Sequence, residues 1–294
     1  MAEIVNLNRE LIEGFKPRRA EDGHKNTFGT ALICAGSRYM TGAAVLACGA
    51  ALRSGAGLVK VFSEEKTLNA ISCNEPCALL ESRPEETAEL LKKAKRLCDK
   101  ADSVLIGSGI PADYKDMEAL TEVFLEKADN VVLDAGAFTD RKDVLERLKD
   151  RLKSRSVPAV MTPHVGEFAR ILGLSGQEVT ENAAELASGF AIENNTVVVL
   201  KSAKTLIAAP DGKLYINDLP NSGLAKGGSG DVLAGLLTGI LAQGVEPDKA
   251  AAASVFIHSQ AGAAAACEFG KRYMIPEDLV IYLPEGYLEA GWRD

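Results

Sequence analysis

Short apolar runs of strand length alternate with helical stretches along most of the chain. Residues 30–37 (TALICAGS), 58–63 (LVKVFS), 103–109 (SVLIGSG), 130–137 (NVVLDAGA), 158–163 (PAVMTP) and 196–204 (TVVVLKSAK) have the length and side chains of buried strands. Residues 41–57, 85–100, 114–127, 143–152, 164–172 and 181–194 are predicted as helices. This alternation predicts an α/β fold, a mostly parallel sheet with helices on both faces. Ligands on such sheets sit at the carboxyl ends of the strands, here near Ser37, Gly109, Asp134, His164 and Lys204. Residues 205–218 read as a hairpin turning at Pro210-Asp211-Gly212. Two long helices are predicted to close the chain, one after Asp231 and one over residues 247–268. No linker, repeat or low-complexity tract interrupts the pattern, which predicts one domain over residues 1–294, soft only up to about Asn26.

The densest local signal is KGGSGDVLAG at residues 226–235. Glycines let a backbone approach a ligand closely, and a helix start adds free N–H donors with a partial positive charge. Gly227, Gly228, Ser229 and Gly230 therefore form a candidate anion cradle with Asp231 on its rim, an arrangement suited to phosphoryl transfer. A turn with an aspartate helix cap is the plainer alternative. The phosphate-loop pattern GxxxxGK[ST] and the dinucleotide pattern GxGxxG are both absent.

Other residues cluster at the predicted ligand end. TPHVGEF (162–168) carries His164 and Glu167 at a helix start, and KSAKT (201–205) offers Lys201 or Lys204 to a phosphate. The small residues of TGAAVLA (41–47) suit either tight helix packing or close approach of a ligand. Asp134 ends a strand that reads as buried, so its charge needs a partner or a metal.

A net charge of −8 argues against a nucleic-acid partner. The start lacks the basic and apolar blocks of a signal peptide, and no apolar stretch is long enough to span a bilayer, so the expected location is the cytoplasm. The six cysteines form no CxxC pair, and Cys34 and Cys48 read as buried free thiols.

In this order, HKNTFG (24–29), residues 35–59, IGSG (106–109), VLDAGA (132–137), TPHVGEF (162–168), LKSAKT (200–205) and NSGLAKGGSGDVLAG (221–235) resemble the NAD(P)H-hydrate dehydratase family of the ribokinase-like superfamily. The resemblance implies a ribokinase-like three-layer sandwich. It also implies dehydration of (6S)-NADHX or NADPHX to NADH or NADPH, coupled to consumption of ADP or ATP. By position, Asp231 becomes the base and a hydrate contact, with Ala43, Gly109 and His164 as further hydrate contacts. Lys201, Ser202, Ala203, Lys204, Thr205, Gly228, Ser229 and Gly230 fall on the nucleotide. Mg²⁺ is the expected cation, its ligands unassigned. A homo-oligomer such as a tetramer is implied, and so is a separate hydrate epimerase, since the chain is too short to include that domain.

The chain departs from the family pattern at Asn26, at Ile110 and Pro111 where a further glycine is common, at Gly136 where a second acid is common, and at Lys226 where threonine is common. A small-molecule kinase acting on an alcohol would use the same loop. A non-catalytic adenylate-binding module is the reading from another class, and Asp231 speaks against it.

Overall fold

The computed structural model describes residues 4–293. Its strands are β1 (Ile4–Asn6), β2 (Thr30–Cys34), β3 (Leu58–Ser63), β4 (Leu79–Ser82), β5 (Ser103–Ile106), β6 (Asn130–Leu133), β7 (Ala159–Met161), β8 (Thr196–Leu200), β9 (Thr205–Ala208) and β10 (Leu214–Asn217). Its helices are α1 (Arg9–Glu13), α2 (Thr41–Leu52), α3 (Glu65–Asn74), α4 (Thr87–Cys98), α5 (Met117–Lys127), α6 (Lys142–Lys153), α7 (Val165–Leu172), α8 (Gly176–Glu181), α9 (Ala183–Asn194), α10 (Ser229–Ala242), α11 (Pro247–Phe269) and α12 (Pro276–Glu289).

The strands form one sheet in the order β1-β10-β9-β8-β7-β6-β5-β2-β3-β4. The pairs from β8 to β4 are all parallel, and β9 is antiparallel to both neighbours. Strand pleating sends alternate side chains to opposite faces. Ala31 and Ile33 join a core with α2, α10, α11 and α12, whereas Leu32 and Cys34 join a second core with α4, α5, α6, α7 and α9. Burial on both faces is why these strands read as unbroken apolar runs. The result is the expected three-layer α/β sandwich.

Six elements were not foreseen. β1 and α1 lie inside the stretch expected to be soft, and β1 pairs with β10. β4 is an edge strand with exposed Leu79 and Leu80, so it lacks the apolar signal of a buried strand. α3 was passed over, and α12 follows the two helices expected to be last, with Pro284 inside it breaking the helical pattern. The sixth is α8, which ends at Glu181, while α9 matches the helix predicted over 181–194.

α10 is apolar nearly all round because it runs between α2, α11 and the sheet. Its approach to α2 is close: a Cβ on Gly235 would lie 2.1 Å from the Ala47 carbonyl oxygen. Gly235→Ala must therefore push the two helices apart, and a loss of about 1–3 kcal/mol is expected, read as a lowered denaturation midpoint. Cys34, Cys48 and Cys98 are buried free thiols. No described helix is long and apolar enough to cross a membrane.

Candidate active site

α10 starts at Ser229, so Asp231 sits in its first turn and Gly228 is the N-cap. Gly228 has φ of 107°, a conformation costly to any residue with a Cβ, and a Cβ there would also crowd Leu46 and Pro276. The Ser229 amide donates to the Lys226 carbonyl at 3.3 Å, and Val232 closes the first turn on the Gly228 carbonyl. Among the described residues the amides of Gly228, Gly230 and Asp231 meet no backbone acceptor in this loop, so they remain available at the positive end of the helix. The buried His258 of α11 faces the Ser229 carbonyl through Nε2 at 3.0 Å. A carbonyl only accepts, so that nitrogen carries the proton. Burial pushes His258 down to about 4, which keeps it a neutral support for the loop.

A buried polar network lies beside this helix start. Asp134, 2% exposed at the end of β6, accepts from Thr162 Oγ1 at 2.8 Å and Lys201 Nζ at 3.0 Å on Oδ1, and from Ser108 Oγ at 2.7 Å on Oδ2. The charge that needed a partner has Lys201. Lys201 in turn packs under the glycine loop, with its Nζ 3.2 Å from where a Gly230 Cβ would be. Burial works against the Lys201 charge, but Asp134, Glu167 and Asp231 outweigh it and hold the ammonium above the usual lysine range. Asp231 is pushed up to about 7, first by burial and then by the nearby Asp134 charge, with Lys201 and a Ser108 hydrogen bond acting in the opposite direction.

The other candidates fall around this centre. A Cβ on Gly109 would lie 2.5 Å from the Ala43 Cβ, so the turn after β5 and the first turn of α2 are brought together. His164 and Lys201 form an isolated bridge between the ends of β7 and β8. His164 caps α7: its Nδ1 accepts from the Gly166 and Glu167 amides, while Glu167 Oε2 accepts from the His164 amide at 2.8 Å. The ring itself is exposed, with Nε2 free to carry a proton outward and 3.5 Å from Glu167 Oε1. Ser202, Ala203 and Lys204 form an exposed turn before β9, where Lys204 pairs with Asp218 and Thr205 opens the strand. A cavity of about 280 Å³ between α5 and α6 has Gly136 and Ala137 in its wall, and Asp231 does not line it.

Residues 31–285 match the family described as NAD(P)H-hydrate dehydratase (Carb_kinase). The chain belongs to the NAD(P)H-hydrate dehydratase family. It is 33% identical to the ADP-dependent (S)-NAD(P)H-hydrate dehydratase of Bacillus subtilis over 94% of its own length and 95% of that protein's. The structure of the Bacillus subtilis ADP/ATP-dependent NAD(P)H-hydrate dehydratase, co-crystallised with ATP/Mg²⁺, superposes with a TM-score of 0.87 at 32% identity, covering 98% and 99% of the two chains. The bifunctional NAD(P)H-hydrate repair enzyme of Moorella thermoacetica is 36% identical over 91% of this chain, which spans about half (51%) of that protein. A ribokinase-like superfamily protein from Enterococcus faecalis has a TM-score of 0.79 at 26% identity, covering 99% and 97% of the two chains, and the fold is ribokinase-like.

As a hydrate dehydratase family member, the chain's departures have local explanations. Asn26 lies at the far end of the sheet, where the neighbouring Lys25 carbonyl packs on Gly57 ahead of β3. Two departures fit each other: a Cβ on Gly136 would lie 1.9 Å from the Ile110 carbonyl oxygen, so no side chain fits at 136 beside this Ile110-Pro111 turn. Lys226 Nζ donates to the carbonyls of Arg272 and Met274, tying the glycine loop to the segment before α12. Ser108, Thr162 and His258 were not singled out from the sequence, because single polar residues in apolar runs carry no spacing signal.

Proposed function

We propose that this chain dehydrates the (6S) hydrates of NADH and NADPH, with ADP or ATP as phosphoryl donor. The observation that carries this is Asp231: a half-buried acid, held near 7, on a helix start whose amides are free for an anion. Its carboxylate takes the proton of the hydrate hydroxyl while that oxygen attacks the terminal phosphorus of the nucleotide. An O–P bond forms, and the P–O bond to the departing nucleotide breaks. The hydroxyl has become a phosphate, a better leaving group; the C–O bond breaks with release of inorganic phosphate, the adjacent ring carbon loses a proton to solvent, and the ring double bond of the reduced nicotinamide is restored. Positioning and electrostatics carry most of such a transfer. The amides of Gly228 and Gly230 face the phosphates, with Ser229 between them, and the turn of Lys201, Ser202, Ala203, Lys204 and Thr205 holds the adenine nucleotide. Ala43, Gly109 and His164 line the hydrate.

The expected Mg²⁺ does not fit a protein-built cage. No group of three or more His, Cys, Asp or Glu is arranged for a cation among the described residues, and both Asp134 oxygens already accept hydrogen bonds. We therefore place the ion on the nucleotide phosphates and water, where it would neutralise phosphate charge. The proposal also includes a single domain, cytoplasmic placement beside the nucleotide pools, a hydrate epimerase as functional partner, and a homo-oligomer. Exposed Phe269, Ile275, Ile281 and Leu288 on and around α12 support the last.

The test mixes the protein with NADH hydrate and ADP or ATP and follows reduced-nicotinamide absorbance. Recovery is expected. No recovery with either nucleotide overturns the proposal, and a stable phosphorylated alcohol without elimination supports a kinase instead. The sign of the pH dependence follows from the base: Asp231 must be ionised, so kcat/KM should fall about tenfold per unit below an acid limb near 7.

A further inference from the structure

Arg83 follows β4 at the edge of the sheet, yet its side chain is 1% exposed and reaches back across β3. Its amide donates to the Ser63 carbonyl at the end of β3 at 2.7 Å. Its Nη2 donates to the Gly36 carbonyl, in the turn after β2, at 2.9 Å and to Glu64 Oε1 at 3.2 Å. The guanidinium also lies over the ring of Tyr114, between β5 and α5, 5.3 Å from its centre. The carbonyls on either side of Gly36 are held as well: Ser63 Oγ donates to Ala35 at 2.6 Å and Thr67 Oγ1 to Ser37 at 3.4 Å. The Gly36 amide in turn donates to the Ser108 carbonyl at 2.8 Å. Gly36 has φ of 76°, and a Cβ on it would lie 2.8 Å from the Ala44 Cβ. A Cβ on Gly109 would lie 3.4 Å from the Gly36 Cα and 2.9 Å from the Met40 carbonyl oxygen. The turn of residues 35–37 is therefore wedged between Gly109 and the first turn of α2, which carries Ala43.

We propose that Arg83 is a positioning residue for the hydrate, holding the Gly36 turn so that Gly109 and Ala43 meet the substrate at a fixed spacing. This rests on the reading of Ala43 and Gly109 as hydrate contacts. A shift of Gly36 would move both, because Gly109 and α2 pack directly on it. Stability alone does not account for the residue. Among the described residues its Nε and Nη1 are buried without a hydrogen-bond partner, and buried donors left unpaired cost stability. An apolar side chain of similar length could fill the same space. Glu64 would not be stranded by that change, since its side chain is 37% exposed. What the guanidinium alone supplies is a donor long enough to cross β3 and fix one carbonyl. None of its side-chain hydrogen bonds goes to the glycine loop or to the turn of residues 201–205, so the nucleotide is held without it.

The test is Arg83→Met, read with and without substrate. In turnover the KM for NADH hydrate should rise about tenfold while kcat and the nucleotide KM stay nearly unchanged, since only the placement of the hydrate is lost. The denaturation midpoint should hold or rise. Arg83→Lys, which keeps a cationic donor for the Gly36 carbonyl, should recover most of the hydrate KM. Without substrate, hydrogen exchange is followed at the Gly36 amide, which is bonded to the Ser108 carbonyl. It should exchange about tenfold faster in Arg83→Met. The Val232 amide, which closes the first turn of α10, should keep its wild-type rate. If Arg83→Met does not fold, Arg83→Gln replaces it, since its shorter side chain gives up the Gly36 carbonyl and the same changes are expected. An unchanged Gly36 exchange rate overturns the proposal. So does an unchanged hydrate KM, or a rise of both KM values together as the midpoint falls. The substrate-free measurement separates the two readings: a wild-type protein without dehydratase activity, with Gly36 exchange quickened in the variant, sinks the proposed reaction and leaves the hold of Arg83 on the turn standing.

Discussion

Asp231→Asn is expected to lower kcat for hydrate dehydration by ~100-fold or more while leaving nucleotide affinity nearly unchanged. The amide has almost the carboxyl's shape, and the nucleotide is held by backbone amides and the turn of residues 201–205, so binding survives. What is lost is the acceptor for the hydroxyl proton during the transfer. Equilibrium binding of ADP and single-turnover recovery of reduced nicotinamide read the two effects separately. Full activity in the variant would remove Asp231 from the chemistry.

The same substitution should stabilise the fold at neutral pH. The folded-state Asp231 is raised to about 7, against an ordinary aspartate near 4, so the folded protein holds a proton there that the unfolded chain has released. The contribution is complete below the unfolded value and is lost as pH rises through the folded one. Wild-type stability from this group therefore declines between about pH 4 and pH 7, and Asp231→Asn removes the decline. A denaturation midpoint that rises at pH 8 while turnover collapses is the expected signature of a carboxylate kept charged for chemistry.

Legibility in the sequence followed burial. β2, β5, β6 and β8 lie between two helix layers, and each reads as an apolar run, so their alternation with helices was plain before any coordinate. β4 at the sheet edge and α12 with its internal proline carry no such pattern. The same split holds at the site. The glycine loop and Asp231 are contiguous in sequence and were legible there. The Ser108–Asp134–Lys201 network joins residues 26 and 67 positions apart, and only the parallel order β5-β6-β7-β8 brings their strand ends together. His164 shows the limit from the other direction: its place at a strand end was readable, but its service as a helix cap through Nδ1 was not.

Lys201→Met is expected to destabilise the protein by about 3–5 kcal/mol at neutral pH, because it leaves the buried Asp134 carboxylate without its cation. At this chain length that corresponds to a midpoint lower by roughly 6–15 °C. Lys204→Met, three residues on, removes an exposed pair with Asp218 and should cost ~1 kcal/mol or less. The KSAK segment offers these two lysines as equals, but burial separates them: the Lys201 side chain is 21% exposed and its partner 3%, against 59% and 47% for Lys204 and Asp218. The double variant Lys201→Met/Asp134→Asn should recover much of the loss, as the Asn carbonyl can still accept from Thr162 and its amide can donate to Ser108 Oγ. If Lys201 instead acts only as a grip on the nucleotide phosphate, Lys201→Met will raise KM for the nucleotide with the denaturation midpoint unmoved. Calorimetry of the three variants, beside nucleotide KM for Lys201→Met, decides between an internal counter-ion and a ligand contact.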